Sequence, residues 1–271
     1  MAWLGAEALD LRTVDASAVS SYIAHLRASG RAPSSVARAL VAVRLLHRFL
    51  LDEGVARNDP GHGVRPPSVP QGLPKALTEE QVASLLSAVT GNGPLERRDR
   101  AVLEVLYATG MRVSELTGLS LPDLSIDDRL VRVFGKGSKE RLVPLGRYAR
   151  AALDEWTSPG GRPALLPGRR ATRRDADAVF LNARGRRLTR QGVDLILRSY
   201  ARRAGLSGKV SAHVLRHSCA THMLDHGADI RVVQELLGHA SIATTQVYTK
   251  VSTERLRAAY EAAHPRARKT Y

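Results

Sequence analysis

The chain has 271 residues, enough for one large domain or two modest ones. Its 41 Lys and Arg against 26 Asp and Glu give a formal net charge of +15, a bias that suits a polyanion such as DNA. The single cysteine, Cys219, excludes an internal disulfide and any multi-cysteine zinc site. No apolar run approaches the roughly 20 residues that cross a bilayer, and no signal-peptide pattern opens the chain, so a cytoplasmic, nucleoid-associated protein is expected.

In chain order, residues 15–29 read as an amphipathic helix capped near Asp15 or Ser17 and ended by Gly30. A second helix follows Pro33, with Ser34 or Ser35 as cap and Val36, Leu40, Val43, Leu46 and Leu50 along one face, and Gly54 stops it. Residues 58–76 hold five prolines and three glycines and read as a linker, leaving an N-terminal helical domain over 1–57 and a larger one over 77–271. The larger domain opens at Thr78, with Leu85 and Leu86 facing inward. Helices are expected near 78–89, 96–108 and 112–119, then a small antiparallel sheet from 130–134 and 140–145 joined by a Gly135–Ser138 turn. A further strand is placed at 179–181. Helices return near 147–156, 189–204, 213–226, 229–237, 241–247 and 252–263, making the chain mainly α with a small sheet. Cys219 falls in one of these helices as a buried small side chain.

The second half scatters basic and hydroxyl residues that make one kit. Arg112 lies in ATGMRVSEL, Lys136 in FGKGSKER, His213 and Arg216 in HVLRH, His239 in LLGHAS and Tyr248 in TTQVYTK. A phosphodiester resists attack because its charge repels nucleophiles and its alkoxide leaves poorly. A catalyst must neutralise the non-bridging oxygens, align an attacker and protonate the leaving oxygen. Arginine suits the first task, since its planar fork stays charged and grips two oxygens at once. Arg112 and Arg216 are the expected clamp, with Glu115 holding the stem of Arg112. His213 shares a helical face with Arg216, and His217, one step round, is expected to pack into the fold. Lys136 sits between glycines in a turn, with Lys139 as a nearby competitor. Of seven tyrosines, Tyr248 alone follows the Leu-Gly-His and Thr-Thr-Gln segments; Tyr107 and Tyr200 lie inside helical patterns, and Tyr260 and Tyr271 in the tail.

These motifs resemble the tyrosine recombinase (integrase) family, and most closely its Xer branch, in type, order and spacing over roughly residues 75–265. A closing His264-Pro-Arg-Ala segment is of the same kind. The resemblance implies a small SAM-like helical domain that grips DNA, ahead of an α+β catalytic domain. It implies Tyr248 as nucleophile, forming a 3′-phosphotyrosyl link that a second strand's 5′-hydroxyl reverses without ATP. Lys136 becomes the acid for the departing 5′ oxygen, and His213 and His239 hydrogen-bond or move protons at the phosphate. Double-stranded DNA is the implied substrate, and a sister Xer-type recombinase in a heterotetramer and a DNA-translocase activator are implied partners. The implied role is chromosome-dimer resolution at cell division. The resemblance also places a helix ahead of residues 13–29. MAWLGAEALDL is too brief to supply it, so a missing first helix is expected, from a late start codon or real divergence.

No cofactor is implied. His213/His217 and His222/His226 stand at ligand spacing, but neither pair encloses a glutamate or gathers carboxylates, so no metal is expected. Five arginines in 162–174 and four in 184–190 either track the DNA backbone or solvate loops. The tail helix, with Leu256, Ala259 and Tyr260 on one face, is expected to dock on a neighbouring protomer. Competing classes are a mobile-element integrase with the same residues, a type IB topoisomerase and a DNA-binding protein that does not cut.

Overall fold

A computed structural model describes residues 2–7, 9–68, 76–135, 140–166, 173–208, 210–238 and 250–267. The chain forms two compact units, Met1–Leu73 and Pro74–Tyr271. No helix among the described residues is long and apolar enough to cross a membrane.

The first unit holds α1 (Ala2–Ala6), α2 (Ala16–Ala28) and α3 (Pro33–Asp52). The short α1 occupies the stretch expected to be too brief for a full helix, and its Trp3 ring lies 5.2 Å from Tyr22. Asp15 caps α2 by accepting the Ala18 N–H at 2.8 Å. The expected serine caps of α3 are replaced by another device. Ala32 is the cap residue, and Pro33 fills the first helical position, where a missing N–H is no loss. The inward face of α3 also departs from expectation. Val36 and Leu40 are fully buried, but His47 is buried and Leu46 is 40% exposed. At 100° per residue, positions 36, 40, 43 and 47 form one stripe, whereas 46 lies about 80° away from 36. The start of the segment read as linker is folded: Arg44 donates to the Gly61 carbonyl at 2.8 Å and the Val64 carbonyl at 2.7 Å, and Val64 joins Val19, Ile23, Val36 and Leu40 in the core.

The second unit runs α4 (Glu79–Ser87), α5 (Pro94–Thr109), α6 (Val113–Gly118), a 3-10 turn (Leu121–Asp123), β1 (Leu124–Ser125), β2 (Leu130–Phe134) and β3 (Glu140–Pro144). It continues with α7 (Arg147–Thr157), α8 (Arg162–Leu165), α9 (Arg173–Ala176), α10 (Arg190–Arg203), α11 (Ala212–Asp225), α12 (Ile230–Leu237) and α13 (Lys250–Ala263). Thr78 and Gln81 cap α4 reciprocally, each side chain accepting the other's backbone N–H. From Ala101 to Thr109 every residue of α5 is buried, and the helix packs against α7 and α11 as the centre of the unit. Trp156 is fully buried beside it and donates to the Val179 carbonyl at 2.9 Å; a large apolar side chain buried this way contributes roughly 1.5–3 kcal/mol.

The sheet is antiparallel in the order β1-β2-β3, with Val131 opposite Val143 and Val133 opposite Arg141. Its third strand is Leu124–Ser125, not 179–181. Ala178 and Leu181 make isolated bridges to Ser120 and Arg187, so that fully buried segment is pinned across a loop instead of joining a ladder. Two arginines expected to meet DNA or solvent are internal braces. Arg162 donates to the Ala176 and Ala178 carbonyls, and Arg187 to those of Thr117 and Leu119. Both guanidiniums are committed to backbone acceptors flanking the Ser120–Ala178 bridge. The expected helix at 241–247 lies outside the described residues.

The tail helix, expected on a neighbour, packs in this chain on its own unit. Leu256, Tyr260 and Ala263 of α13 are buried, and α13 lies against α11, α12 and β3. The chain beyond it closes the contact. The fully buried His264 ring stacks on Tyr260 at 4.7 Å, donates from Nε2 to the Tyr107 carbonyl at 3.3 Å, and accepts the Arg266 N–H on Nδ1 at 3.1 Å. Arg266 pairs with buried Glu104.

Burial pushes the His264 imidazole from 6.5 down to about 3. Above pH 6.5 the ring is neutral folded and unfolded, and nothing is gained or lost. Below it the unfolded chain takes up a proton that the folded chain refuses, so stability falls as pH drops from 6.5 toward 3. Urea unfolding of the parent should lose about 2 kcal/mol between pH 7 and pH 5 from this group. His264→Gln should lose correspondingly less over the same interval, whatever its stability at pH 7. Equal losses in both proteins would show that His264 titrates normally.

Candidate active site

α5 ends at Gly110, whose φ of 58° is left-handed, and Arg112 follows as the cap residue of α6. A Cβ on Gly110 would stand 2.6 Å from the Leu237 side chain and 3.4 Å from the Cys219 sulfur, so the turn carries glycine for both space and φ. Glu115, three residues on, reaches back to accept the Arg112 backbone N–H at 2.8 Å and its Nη1 at 2.8 Å, which is the stem-holding expected of it. Arg112 nevertheless keeps 44% of its side chain exposed.

Arg216 projects from the second turn of α11, whose first turn is capped by Ser211. Its guanidinium is buried and donates to the Gly110 carbonyl at 2.6 Å and the Leu237 carbonyl at 2.8 Å. Burial, reinforced by the nearby Arg112 charge, lowers its pKa from 12.5 to about 10, still fully cationic at neutral pH. His213 stands one turn earlier and is exposed. His217, expected to pack inward, is also exposed. At 100° per residue it falls on one stripe with exposed His213 and Leu224, the narrow solvent face of a helix otherwise mostly buried.

A third arginine was missed. Arg141 on β3 is 5% exposed; it donates from Nη1 and Nη2 to the two Glu115 oxygens at 3.0 and 2.8 Å, and from Nε to the Leu236 carbonyl at 3.0 Å. The strand period held the clue, since 141 and 143 share the inward face of β3 and an arginine beside Val143 must be paired. Burial by itself would raise the Glu115 carboxyl, but the hydrogen bonds from Arg141 and Arg112 outweigh it and hold it below its usual value.

The three guanidiniums descend on successive carbonyls at the end of α12: Arg141 on Leu236, Arg216 on Leu237 and Arg112 on Gly238. That helix end carries the negative pole of its dipole and gathers cations there. Gly238 takes φ 68°, and a Cβ on it would meet the Arg141 guanidinium at 3.1 Å. The cluster sums three guanidiniums and one carboxylate, an excess of positive charge suited to an oxyanion.

Arg112 and Arg216 thus meet at the end of α12, and His213 stands one turn before Arg216 on α11. Lys136, His239 and Tyr248, with Lys139, lie outside the described residues. The histidines at ligand spacing do other work: His222 bridges the Tyr107 hydroxyl and the Leu77 carbonyl, both at 2.8 Å, and His226 bridges the Ala263 carbonyl and Glu79. Among the described residues no group of three or more His, Cys, Asp or Glu gathers for a metal ion. Cys219 is buried and its thiol is pushed up to about 12, which makes it inert at neutral pH.

Comparison with known proteins agrees with this architecture. The phage integrase family matches residues 75–255, and the N-terminal SAM-like domain of phage integrases matches residues 1–54. The chain is 51% identical over 270 residues to tyrosine recombinase XerD of Mycobacterium tuberculosis (strain ATCC 25618 / H37Rv), covering 96% of this chain and 85% of that one. It is 46% identical over 265 residues to tyrosine recombinase XerD of Proteus mirabilis, covering 97% and 83%. Among solved structures, XerA recombinase is similar over 99% of this chain and 88% of its own, with 27% identity and a TM-score of 0.55. XerH recombinase bound to its palindromic difH substrate shares the fold over 93% and 73%, with 24% identity and a TM-score of 0.65. With a matching family domain over most of its length and half its residues shared with a relative, the chain belongs to the phage integrase family, the tyrosine recombinases, and is an enzyme of site-specific DNA strand exchange.

Proposed function

We propose that this recombinase resolves chromosome dimers in the cytoplasm at cell division. It does so on double-stranded DNA with a sister Xer-type recombinase supplying half of a heterotetramer, and a DNA translocase as activator. The identity shared with relatives named XerD supports the reading. In the proposed reaction Arg112 and Arg216 grip the non-bridging oxygens of the scissile phosphate, and His213 and His239 bind or move protons there. The Tyr248 phenol attacks phosphorus in line as it loses its proton. The bond to the 5′ oxygen breaks, and Lys136 protonates that oxygen. A 3′-phosphotyrosyl link and a 5′-hydroxyl result, and attack by a partner strand's 5′-hydroxyl restores the diester and frees Tyr248.

The observation that carries this reading is the convergence of Arg112 and Arg216 on the adjoining carbonyls of Gly238 and Leu237, directly before His239. Two fixed cations there stabilise charge as it develops, without reorganising at the moment of reaction. The test uses nicked duplexes carrying the host's chromosome-dimer resolution site, with and without the sister recombinase. An SDS-resistant protein–DNA adduct that maps by peptide mass to Tyr248, and that strengthens with the sister present, is expected. Relaxation of plasmid lacking any such site would instead select a topoisomerase, and binding without adduct a protein that does not cut.

A further inference from the structure

We propose that Arg141 is a positioning residue of the strand-cleavage site: it neutralises Glu115, so that this carboxylate holds Arg112 in place without cancelling the charge Arg112 presents to phosphate. The inference rests on the reading of Arg112 as a phosphate clamp.

The geometry divides the work between two arginines that share one acid. Glu115 and Arg141 are 6% and 5% exposed and meet through two parallel hydrogen bonds, the strongest form of such a pair. Arg112 takes what remains, one bond from Nη1 and one from its backbone N–H, and its side chain stays 44% exposed. Without Arg141, a buried carboxylate would face a single guanidinium, and the pair would carry no net charge toward the phosphate. With Arg141 the trio carries one net positive charge, and the part of it that reaches solvent is Arg112. The third bond of Arg141, to the Leu236 carbonyl, fixes the end of α12 on which Arg216 and Arg112 also rest. Because β3 begins at Glu140, the same side chain ties the start of that strand to the carbonyl row. Arg141 touches no reacting atom in this arrangement and acts through its neighbours.

The experiment compares the full chain with Arg141→Gln, Glu115→Gln, the double variant and Arg112→Ala. It reads single-turnover cleavage of a nicked duplex at saturating protein, DNA affinity and thermal unfolding for each. Arg141→Gln should slow cleavage about 100-fold, the scale of a clamp displaced by about 1 Å, with DNA affinity unchanged. The double variant removes both buried charges and should recover about tenfold of that loss, because no unpaired carboxylate is left to neutralise Arg112. A purely structural role predicts a double variant as slow as Arg141→Gln or slower, and that result overturns the proposal. If Arg141→Gln does not fold, Arg141→Lys takes its place. It keeps the charge and should cleave within about tenfold of the parent, whereas a loss as large as that of Arg112→Ala counts against charge neutralisation. Full cleavage by Arg112→Ala would remove the clamp reading itself. Slow Arg112→Ala beside normal Arg141→Gln would remove only the role of Arg141.

Discussion

Tyr248→Phe should bind the recombination site as the parent does and yield no covalent adduct, a loss of about 10⁶-fold in cleavage, the scale seen when a covalent enzyme loses its nucleophile. The substitution deletes one oxygen and leaves the ring, so neither affinity nor folding has reason to change. The other tyrosines are poor substitutes. Tyr107, Tyr200 and Tyr260 are 1%, 5% and 1% exposed, and burial raises the phenol of each, Tyr200 to about 12. An adduct that survives in Tyr248→Phe would move the nucleophile to one of the more open tyrosines. Gel analysis of SDS-treated reactions, paired with a binding titration, reads both halves of the expectation.

Arg216→Met should slow cleavage roughly 10³–10⁵-fold, the range an arginine supplies when it stabilises charge on a transferring phosphoryl group. The expected effect on stability is small by comparison. The variant forfeits two hydrogen bonds, to the Gly110 and Leu237 carbonyls, each contributing about 1 kcal/mol or somewhat more for a charged donor. Against that, it relieves the burial of a cation whose proton affinity is already depressed by desolvation and by Arg112 and Arg141. Gains and losses of similar size leave unfolding free energy within about 2 kcal/mol of the parent. Urea unfolding beside a single-turnover assay separates the two quantities. A variant that unfolds and loses cleavage in proportion would make Arg216 a structural brace alone.

What the sequence disclosed and what it hid divide along physical lines. Helix starts were legible where one residue type does a local job, as with Asp15 capping α2 and Thr78 opening α4. The hold of Glu115 on Arg112 was legible because the two stand three residues apart in one dense motif string. Hidden were the relations between distant segments. The strand period implied that Arg141 turns inward and needs a partner, but not that the partner is Glu115, 26 positions away. Arg162 and Arg187 sat in runs of positive charge that invite a DNA reading, yet their guanidiniums are spent on backbone carbonyls. The inward turn of His47 in place of Leu46 shows the same limit on a single helix, where apolarity outvoted angular position. The apolar face of the tail helix was expected on a neighbour, and nothing in its sequence hinted at the His264 and Arg266 contacts that hold the chain after it against Tyr107 and Glu104.

Leu77 stands just before α4, where the chain enters the catalytic unit, and both of its backbone groups are held by one helix. Its N–H donates to Ser218 Oγ at 2.9 Å, and its carbonyl meets His222 Nε2 at 2.8 Å, two anchors a single turn apart on α11. Arg216 sits on the same turn as Ser218. Mechanically, the entry of the chain into this unit is bolted to the helix that carries Arg216. A displacement of Leu77 therefore passes to α11 through these two bonds, one step from the arginine cluster proposed to grip phosphate.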